Sequence, residues 1–162
     1  MKAISSKRKK VDADYDAMAQ LEWFAGLYRS GDDLVIPDHV LEAVMIRGAK
    51  KSRRGEQAKC GMFFVDHASL QFQGKPDVIN DDTLAGMFES GDFTHTMCVR
   101  VSAAKVVRTR PMFRRWSCTA VAQYDPDVLN MRDIEEIATD AGRLCGLGDW
   151  RPKHGRFQVE MI

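Results

Sequence analysis

Helical and strand-like hydrophobic patterns alternate along this chain in an order that few architectures accommodate. Helical spacing predicts one helix over residues 12–24 and a second that opens with Asp38 as its cap and ends near residues 48–51. The clearest helix follows Asn130, a residue type that caps helices well. Its inner face is predicted to comprise Ile134, Ile137, Ala138, Ala141 and Leu144.

Short apolar runs and alternating segments predict the strands. They cover residues 62–65, 70–72, 97–101, 105–109 and 116–124, with a closing strand through Phe157, Val159 and Met161. Residues 113–124 are expected to return antiparallel to residues 105–110, and a basic loop is expected to continue to Lys59. This order indicates an α+β fold, with a ferredoxin-like or RNA-recognition-type antiparallel sheet and helices packed on one face.

The length of 162 residues suffices for one domain with a substantial core. We expect residues 1–11 to form a basic, flexible N-terminal segment and residues 12–162 to form a single α+β domain. The net charge of +1 provides no overall attraction to a polyanion. Binding to nucleic acid would therefore depend on local clustering of cations. Cations do cluster, in residues 7–10, 47–59 and 105–115.

The residue types that carry metal or catalytic chemistry are dispersed. Cys60, Cys98, Cys118 and Cys145 show no ligand spacing, so we expect no zinc site and mostly buried, reduced thiols. The four histidines lie in different segments, and the glycines at 146 and 148 follow a helix instead of opening one, which excludes a dinucleotide fingerprint. We therefore expect no enzyme activity, no cofactor and no metal. With no apolar stretch long enough for a spanning helix, we expect a cytoplasmic protein without a membrane partner.

The segment from residue 141 to 157 combines glycines, cations and one tryptophan. Glycine allows the backbone to bend into positive φ and to approach a ligand closely. Cations attract an anion, and an indole offers a flat face on which a base can stack. This mixture favours contact with a phosphate backbone or a nucleobase, whereas the alternative is a helix-terminating glycine followed by an ordinary basic loop. The predicted contacts are Trp150, Arg151, Lys153, His154 and Arg156.

Two further basic segments are candidates for the same surface. In residues 47–59 the predicted phosphate contacts are Lys50, Lys51, Arg53 and Arg54. In residues 108–116, strand alternation places Arg108 and Arg110 on one face, and Phe113 and Trp116 lie nearby. Such a face can hold a sugar–phosphate chain while bases stack. Alternatively, the two aromatic residues belong to the core and the arginines protect a sheet edge.

Several strings along the chain resemble a family of small proteins encoded by phages and prophages. They are Leu21-Glu-Trp-Phe-Ala-Gly-Leu-Tyr28, Ile36-Pro37 with Leu41-Glu-Ala and Gly48-Ala-Lys-Lys51, Arg108-Thr-Arg-Pro111 with Trp116, and Gly146-Leu-Gly-Asp-Trp-Arg-Pro152 with Gly155-Arg-Phe157. The resemblance covers nearly the whole chain, and the string from Gly146 to Pro152 is specific.

That family is in turn similar to the RAMP-type backbone subunits of CRISPR complexes, which wrap guide RNA. An Ile-Pro-led helix and a terminal Gly-rich basic loop are common to both. The resemblance implies a modified RNA-recognition sheet, with RNA or DNA at the Gly-rich loop and at residues 47–59. Members of the phage family begin with an extra strand, whereas this chain starts at Met1-Lys-Ala-Ile, inside the following basic helix. We therefore expect the N-terminal strand to be missing and a sheet edge to be open.

Two functions from different classes follow. The first is a non-catalytic phage protein that binds single-stranded nucleic acid, RNA or DNA, without strong sequence preference. The second is an anti-CRISPR-like protein that binds a host protein complex by mimicking a RAMP subunit, with its acidic segments and free sheet edge in the contact. The expected partners are thus single-stranded nucleic acid, a host or phage nucleoprotein complex, or a second copy at the open edge. The first function requires the separated basic segments to converge.

Overall fold

The computed structural model describes residues 11–162, in which helices and small antiparallel sheets occur together, as expected for an α+β chain. The described chain divides into two compact units. Unit 1 comprises residues 11–35 and 70–117, and unit 2 comprises residues 36–69 and 118–162. The predicted single domain over residues 12–162 stays a prediction. The basic run at residues 7–10, with nearly all of the predicted N-terminal segment, lies outside the described residues.

Fourteen segments of regular structure follow one another along the described chain. They are α1 (Asp12–Phe24), β1 (Arg29–Ser30), β2 (Asp33–Ile36), α2 (Asp38–Ala49), a 3-10 turn (Lys50–Ser52), α3 (Gly55–Gly61), β3 (Met62–Phe64), β4 (Ala68–Ser69), α4 (Asp81–Ser90), β5 (Thr94–Val101), β6 (Ala104–Pro111), β7 (Ala122–Tyr124), α5 (Met131–Asp140) and a π turn (Ala141–Cys145). Antiparallel pairs form between β1 and β2, between β3 and β7, and between β5 and β6.

Unit 1 is organised around the β5–β6 hairpin, which confirms the predicted strands at residues 97–101 and 105–109. Its pairing runs from Thr94 opposite Pro111 to Val101 opposite Ala104. Helix α1 packs on β6, and its fully buried Trp23 donates a hydrogen bond from Nε1 to the Phe93 carbonyl over 2.9 Å. Fixing a buried indole donor in this way orients α1 on the unit.

Unit 2 has its hydrophobic core where α2, α3 and α5 meet. The core comprises Val44, Met45, Ala49, Ala58, Met62, Leu129, Ile134, Ile137, Ala138, Ala141 and Cys145. Asn130 caps α5 as predicted, because its Oδ1 accepts a hydrogen bond from the Asp133 amide over 3.0 Å. The predicted inner face of α5 is confirmed as far as Ala141. Leu144, which was predicted to belong to it, is 39% exposed. The π turn adds a residue to the helical repeat, so Cys145 faces inward in its place.

The start of α2 differs from its prediction. Pro37 occupies the N-cap position, and Asp38 is the first helical residue. The Asp38 carboxylate accepts a hydrogen bond from the His39 amide over 2.7 Å, and this bond is the main reason why the pKa of Asp38 is lowered. The predicted cap is therefore wrong, although the carboxylate still lies in the first turn, where the helix dipole favours negative charge.

Two predictions near the junction of α3 and β3 are wrong. Residues 55–61 form a helix and not a loop. The helix places Ala58 in the hydrophobic core of unit 2, and this burial stabilises it. Residues 62–64 do form a strand, but it is not buried throughout. Met62 faces the core, whereas the Phe63 side chain is 52% exposed. Successive side chains of a strand point to opposite faces, so Met62 and Phe64 face the core of unit 2 and Phe63 faces away from it.

Two strand predictions in the C-terminal third, one of a pairing and one of a closing strand, are also wrong. The partner of β7 is β3, so residues 113–124 do not return along residues 105–110. Residues 155–162 form no strand. The Phe157 amide bonds to the Gly142 carbonyl over 3.3 Å, which ties this segment to the π turn and not to a sheet. Only Phe157 packs against the core, and Val159 and Met161 remain exposed.

The cysteines differ from the expectation of mostly buried thiols. Cys60 and Cys98 are exposed, Cys118 is half-buried, and Cys145 is buried. Burial raises the pKa of Cys118, which leaves less of the reactive thiolate at neutral pH. We expect a thiol reagent to modify two cysteines quickly and Cys118 and Cys145 markedly more slowly, as measured by mass spectrometry over time. In denaturant all four should react alike, whereas equal rates in the native protein would contradict the structure.

Two classes of feature are missing from residues 11–162. None of their helices is both long enough and apolar enough to cross a membrane. These residues also bring together no group of three His, Cys, Asp or Glu side chains that could hold a metal ion.

Candidate functional site

The Gly-rich segment is a loop held closed by backbone hydrogen bonds. The π turn ends where the Gly146 amide bonds to the Ala141 carbonyl over 2.8 Å. The Leu147 amide then bonds to the Gly155 carbonyl, also over 2.8 Å, and thereby pins the two sides of the loop together. The loop between them presents its residues from a defined base next to the core of unit 2.

Glycine is required at two positions of this base. A β-carbon at Gly142 would overlap the Phe157 carbonyl oxygen, and one at Gly155 would overlap the Leu147 carbonyl oxygen. Gly155 also has a φ of +74°, in the left-handed region that favours glycine. Gly148, by contrast, has a φ of +85° with open space around it. The first two glycines therefore allow close backbone approach, and Gly148 serves only the bend.

Three cations of the loop, Arg151, Lys153 and Arg156, are exposed. Arg151 donates from Nη1 to the Gly148 carbonyl, and Arg156 donates from Nε to the Pro152 carbonyl over 2.9 Å. In the described chain, no carboxylate pairs with Arg151, Lys153 or Arg156. Because the two arginines bond to neutral carbonyls, these bonds do not neutralise them, and they have further N–H groups that can bind an anion.

The indole predicted to stack lies at the edge of the loop. Trp150 is half-buried, and its ring centroid is 6.3 Å from that of His154 in an edge-to-face arrangement. The His154 amide donates to the Trp150 carbonyl over 3.0 Å, so a single turn carries both rings. Part of the indole therefore remains at the surface, on the same turn as the loop cations.

The predicted contacts of residues 50–54 divide into two groups. Lys50, Lys51 and Arg53 are exposed at the end of α2, where a left-handed Arg53, with a φ of +62°, ends the 3-10 turn. Arg54 forms ion pairs with Asp133 and Glu136 of α5, each at 2.9 Å. The charge of Arg54 is therefore already compensated. Its two ion pairs link the start of α3 to α5.

Arg47 lies near the end of α2, the part of unit 2 that packs on the π turn before the Gly-rich loop. Burial lowers the pKa of Arg47, and the charge of Arg151 lowers it further, with a smaller opposite effect from Cys145. This effect agrees with the packing of α2 on the π turn, where a β-carbon at Gly48 would lie 2.8 Å from the Ala141 amide nitrogen. Within unit 2, therefore, the end of α2 and the segment that leads into the Gly-rich loop are neighbours.

Arg108 and Arg110 lie in unit 1 and already have a counter-ion. Both pair with the carboxylate of Glu22, which is 4% exposed and also accepts a hydrogen bond from the Thr109 amide over 3.0 Å. Phe113 packs on Phe72 with ring centroids 4.5 Å apart. These contacts favour the alternative given above, in which the aromatic residue belongs to the core. The two arginines as phosphate contacts stay a prediction.

Sequence reasoning did not single out Arg47 or Glu22 as important residues. Arg47 was considered only as one member of a basic run, and no role was predicted for Glu22. A usable signal existed for Glu22, since it precedes the core residue Trp23 on α1 and follows Met18 by one helical turn. No comparable signal existed for Arg47, because its environment includes Cys145 of the π turn and Arg151 of the loop, which are far away in the sequence.

Comparison of the chain with protein-family models, with curated proteins and with solved structures gives no match. The arguments for a function therefore come from the charges, distances and burial described above.

Proposed function

We propose that this is a non-catalytic, phage-encoded protein that binds single-stranded nucleic acid, RNA or DNA, through one surface of unit 2. We call this surface the loop surface; it comprises Lys50, Lys51, Arg53, Trp150, Arg151, Lys153, His154 and Arg156. The observation that carries the proposal is the exposure of Arg151, Lys153 and Arg156 without a carboxylate partner in the described chain, on the loop that also carries the half-buried Trp150.

The chemistry of the loop surface suits a single strand better than a duplex. Exposed cations without acidic partners gain free energy by replacing the counter-ions of a phosphate chain. A base stacked on Trp150 would add about 1–3 kcal/mol, and such stacking tolerates any base. Phosphate contacts carry no sequence information of their own. We therefore expect RNA and DNA to bind with little sequence preference.

We also propose a more specific fold class and a cellular location for the protein. A ferredoxin-like or RNA-recognition-type relationship is supported by the antiparallel strand pairs, and by the resemblance to RAMP-type subunits in the strings at residues 36–51 and 146–157. The host cytoplasm is where such a protein would meet RNA or displaced DNA strands.

Salt-dependent binding of labelled oligouridylate and oligothymidylate tests the proposal. Between about 50 and 200 mM salt, affinity should fall steeply for the wild-type protein. The triple variant Arg53→Gln, Lys153→Gln, Arg156→Gln should bind more weakly and lower the salt slope by about 2, because a single strand releases about 0.7 counter-ion per contact.

A matched control is available in unit 1. The triple variant Arg100→Gln, Lys105→Gln, Arg114→Gln removes the same charge from exposed positions and should leave affinity nearly unchanged. Absence of any salt-sensitive binding at micromolar wild-type protein would refute the proposal. Equal weakening by both triple variants would show that net charge, and not the loop surface, determines binding.

A second candidate, the anti-CRISPR-like protein, is favoured by an apolar patch on the β3–β7 sheet. Phe63, Val65 and Val121 lie on its outer face with 52%, 44% and 65% exposure. Apolar side chains grouped at the surface are typical of protein contacts. An RNA-guided host effector complex, treated with nuclease, should then be retained by the immobilised wild-type protein and lost with Phe63→Ser. Loss of the complex after nuclease treatment alone would exclude this candidate.

A further inference from the structure

Strand β5 is the open edge of the two-stranded sheet in unit 1. Helix α1 packs on β6, whereas β5 pairs with β6 alone in the described chain. Proteins protect an edge strand by keeping it short, by placing a proline or a bulge in it, or by covering it. Strand β5 has eight residues without proline, and its pairing runs from Thr94 to Val101 without a bulge. Its edge is therefore a template to which a further strand can be added.

Hydrogen bonds of the hairpin show which backbone groups face this edge. The Thr109 amide of β6 donates to the Glu22 carboxylate over 3.0 Å, so it points away from β5. Thr96 lies directly opposite Thr109, and opposite residues of an antiparallel pair either bond to each other or both point outward. The Thr96 amide therefore faces the open edge, and alternation places the amides of Cys98 and Arg100 there as well. All three residues are exposed.

Two cations beside the edge have no acidic partner. Arg100 lies directly opposite Lys105 of β6, and both are exposed. Arg100 donates from Nε to the neutral Ser102 carbonyl over 3.2 Å, and neither cation pairs with a carboxylate in the described chain. Residues 94–115 contain no acidic residue at all. Acidic side chains on an added strand would supply the counter-charge, because neighbours of opposite charge on adjacent strands stabilise a sheet.

We propose that β5 binds an extended acidic segment of a partner protein by strand addition. The N–H and C=O groups of an edge require a partner that both donates and accepts, which a strand does and a phosphate chain does not. A second copy would bring a β5–β6 hairpin without carboxylates and would gather like charges in one sheet. Arg100 therefore disfavours such a copy and favours an acidic strand.

Amide hydrogen exchange, followed by NMR spectroscopy, tests the proposal on the wild-type protein. The probe is a peptide of eight residues, the length of β5, in which glutamate and valine alternate and both ends are blocked. At about 1 mM peptide, exchange at Thr96, Cys98 and Arg100 should slow about twofold or more, because each amide gains an acceptor. The amides of Met97 and Val99, which face β6, should not change. Unchanged exchange at all five amides would overturn the proposal, as would equal slowing by a peptide with lysine for glutamate.

Cys98→Pro and Val107→Pro form a matched pair of variants. The two residues lie opposite each other, and each proline removes an outward-facing amide at one edge, where proline is tolerated. Cys98→Pro should abolish peptide binding and Val107→Pro should retain it, whereas the reverse result would overturn the proposal. The double variant Arg100→Gln, Lys105→Gln should weaken binding about fivefold, and it decides the matter if Cys98→Pro does not fold.

Other occupants of the edge would give different results in the same experiment. Slower exchange of the three outward amides on raising the protein concentration alone would indicate a second copy, and slower exchange with oligouridylate would indicate nucleic acid. Either result would overturn the acidic strand. The proposed function depends on the loop surface of unit 2, so loss of peptide binding with oligonucleotide binding intact refutes only the present proposal, and the converse refutes only the proposed function.

Discussion

Glu22→Gln should destabilise unit 1 by about 3 kcal/mol. The Glu22 carboxylate is buried and is the shared counter-ion of Arg108 and Arg110. Glutamine keeps the shape but removes the charge, and its NH2 group turns a donor toward other donors. Breaking a buried ion pair by changing one partner costs about 3–5 kcal/mol, because the other charge stays behind. The two arginine side chains are 34% and 29% exposed, so water compensates in part and the lower value is expected.

Urea denaturation of the variant measures this loss, and Asp81→Asn provides the control. Asp81 pairs with Arg29 at 2.7 Å, but its side chain is 93% exposed. Removing an exposed pair should cost less than about 1 kcal/mol. If the two variants unfolded at the same urea concentration as the wild-type protein, Glu22 would not be the counter-ion that the structure shows.

Gly155→Ala should destabilise the protein by about 3 kcal/mol or more and should weaken oligonucleotide binding. The residue has a φ of +74°, which costs an L-amino acid about 1–2 kcal/mol. The added methyl group would also overlap the Leu147 carbonyl oxygen, and forced overpacking costs about 1–3 kcal/mol. Relief of that overlap opens the Leu147–Gly155 hydrogen bond at the base of the loop.

Gly148→Ala isolates the backbone contribution. Its φ of +85° imposes a similar backbone cost, but open space surrounds the position. We expect a loss of only about 1–2 kcal/mol, again from urea denaturation. The difference between the two variants therefore reports the contact with Leu147. Equal losses would mean that the base of the loop is not closed in solution as described.

The elements that sequence reasoning predicted correctly have local causes. Helix α1 ends at Phe24 and α5 begins after Asn130, in agreement with the apolar spacing and with a cap that bonds three residues ahead. The β5–β6 hairpin joins two alternating segments across a short turn. Each of these signals lies within a few residues of the element, and no distant partner is needed to form it.

The segments that were predicted wrongly depend on distant partners. Residues 157–161 alternate as a strand would, but they pair with no strand within the described chain, and the Phe157 amide bonds to the Gly142 carbonyl instead. Residues 122–124 pair with β3 and not with residues 105–110, which were their predicted partner. Strand pairing is decided by which edges packing leaves available, and an alternating pattern contains no information on that choice.

By itself, the sequence determined helices α1, α2 and α5, the long hairpin and the positions of the cations along the chain, because periodicity and capping act over a few residues. Tertiary structure alone decided what each cation does. Arg54 pairs with two carboxylates of α5, Arg108 pairs with buried Glu22, and the pKa of Arg47 is lowered by burial and by the charge of Arg151. Coulomb interactions depend on distance in space and on burial, and packing between segments far apart in the chain sets both.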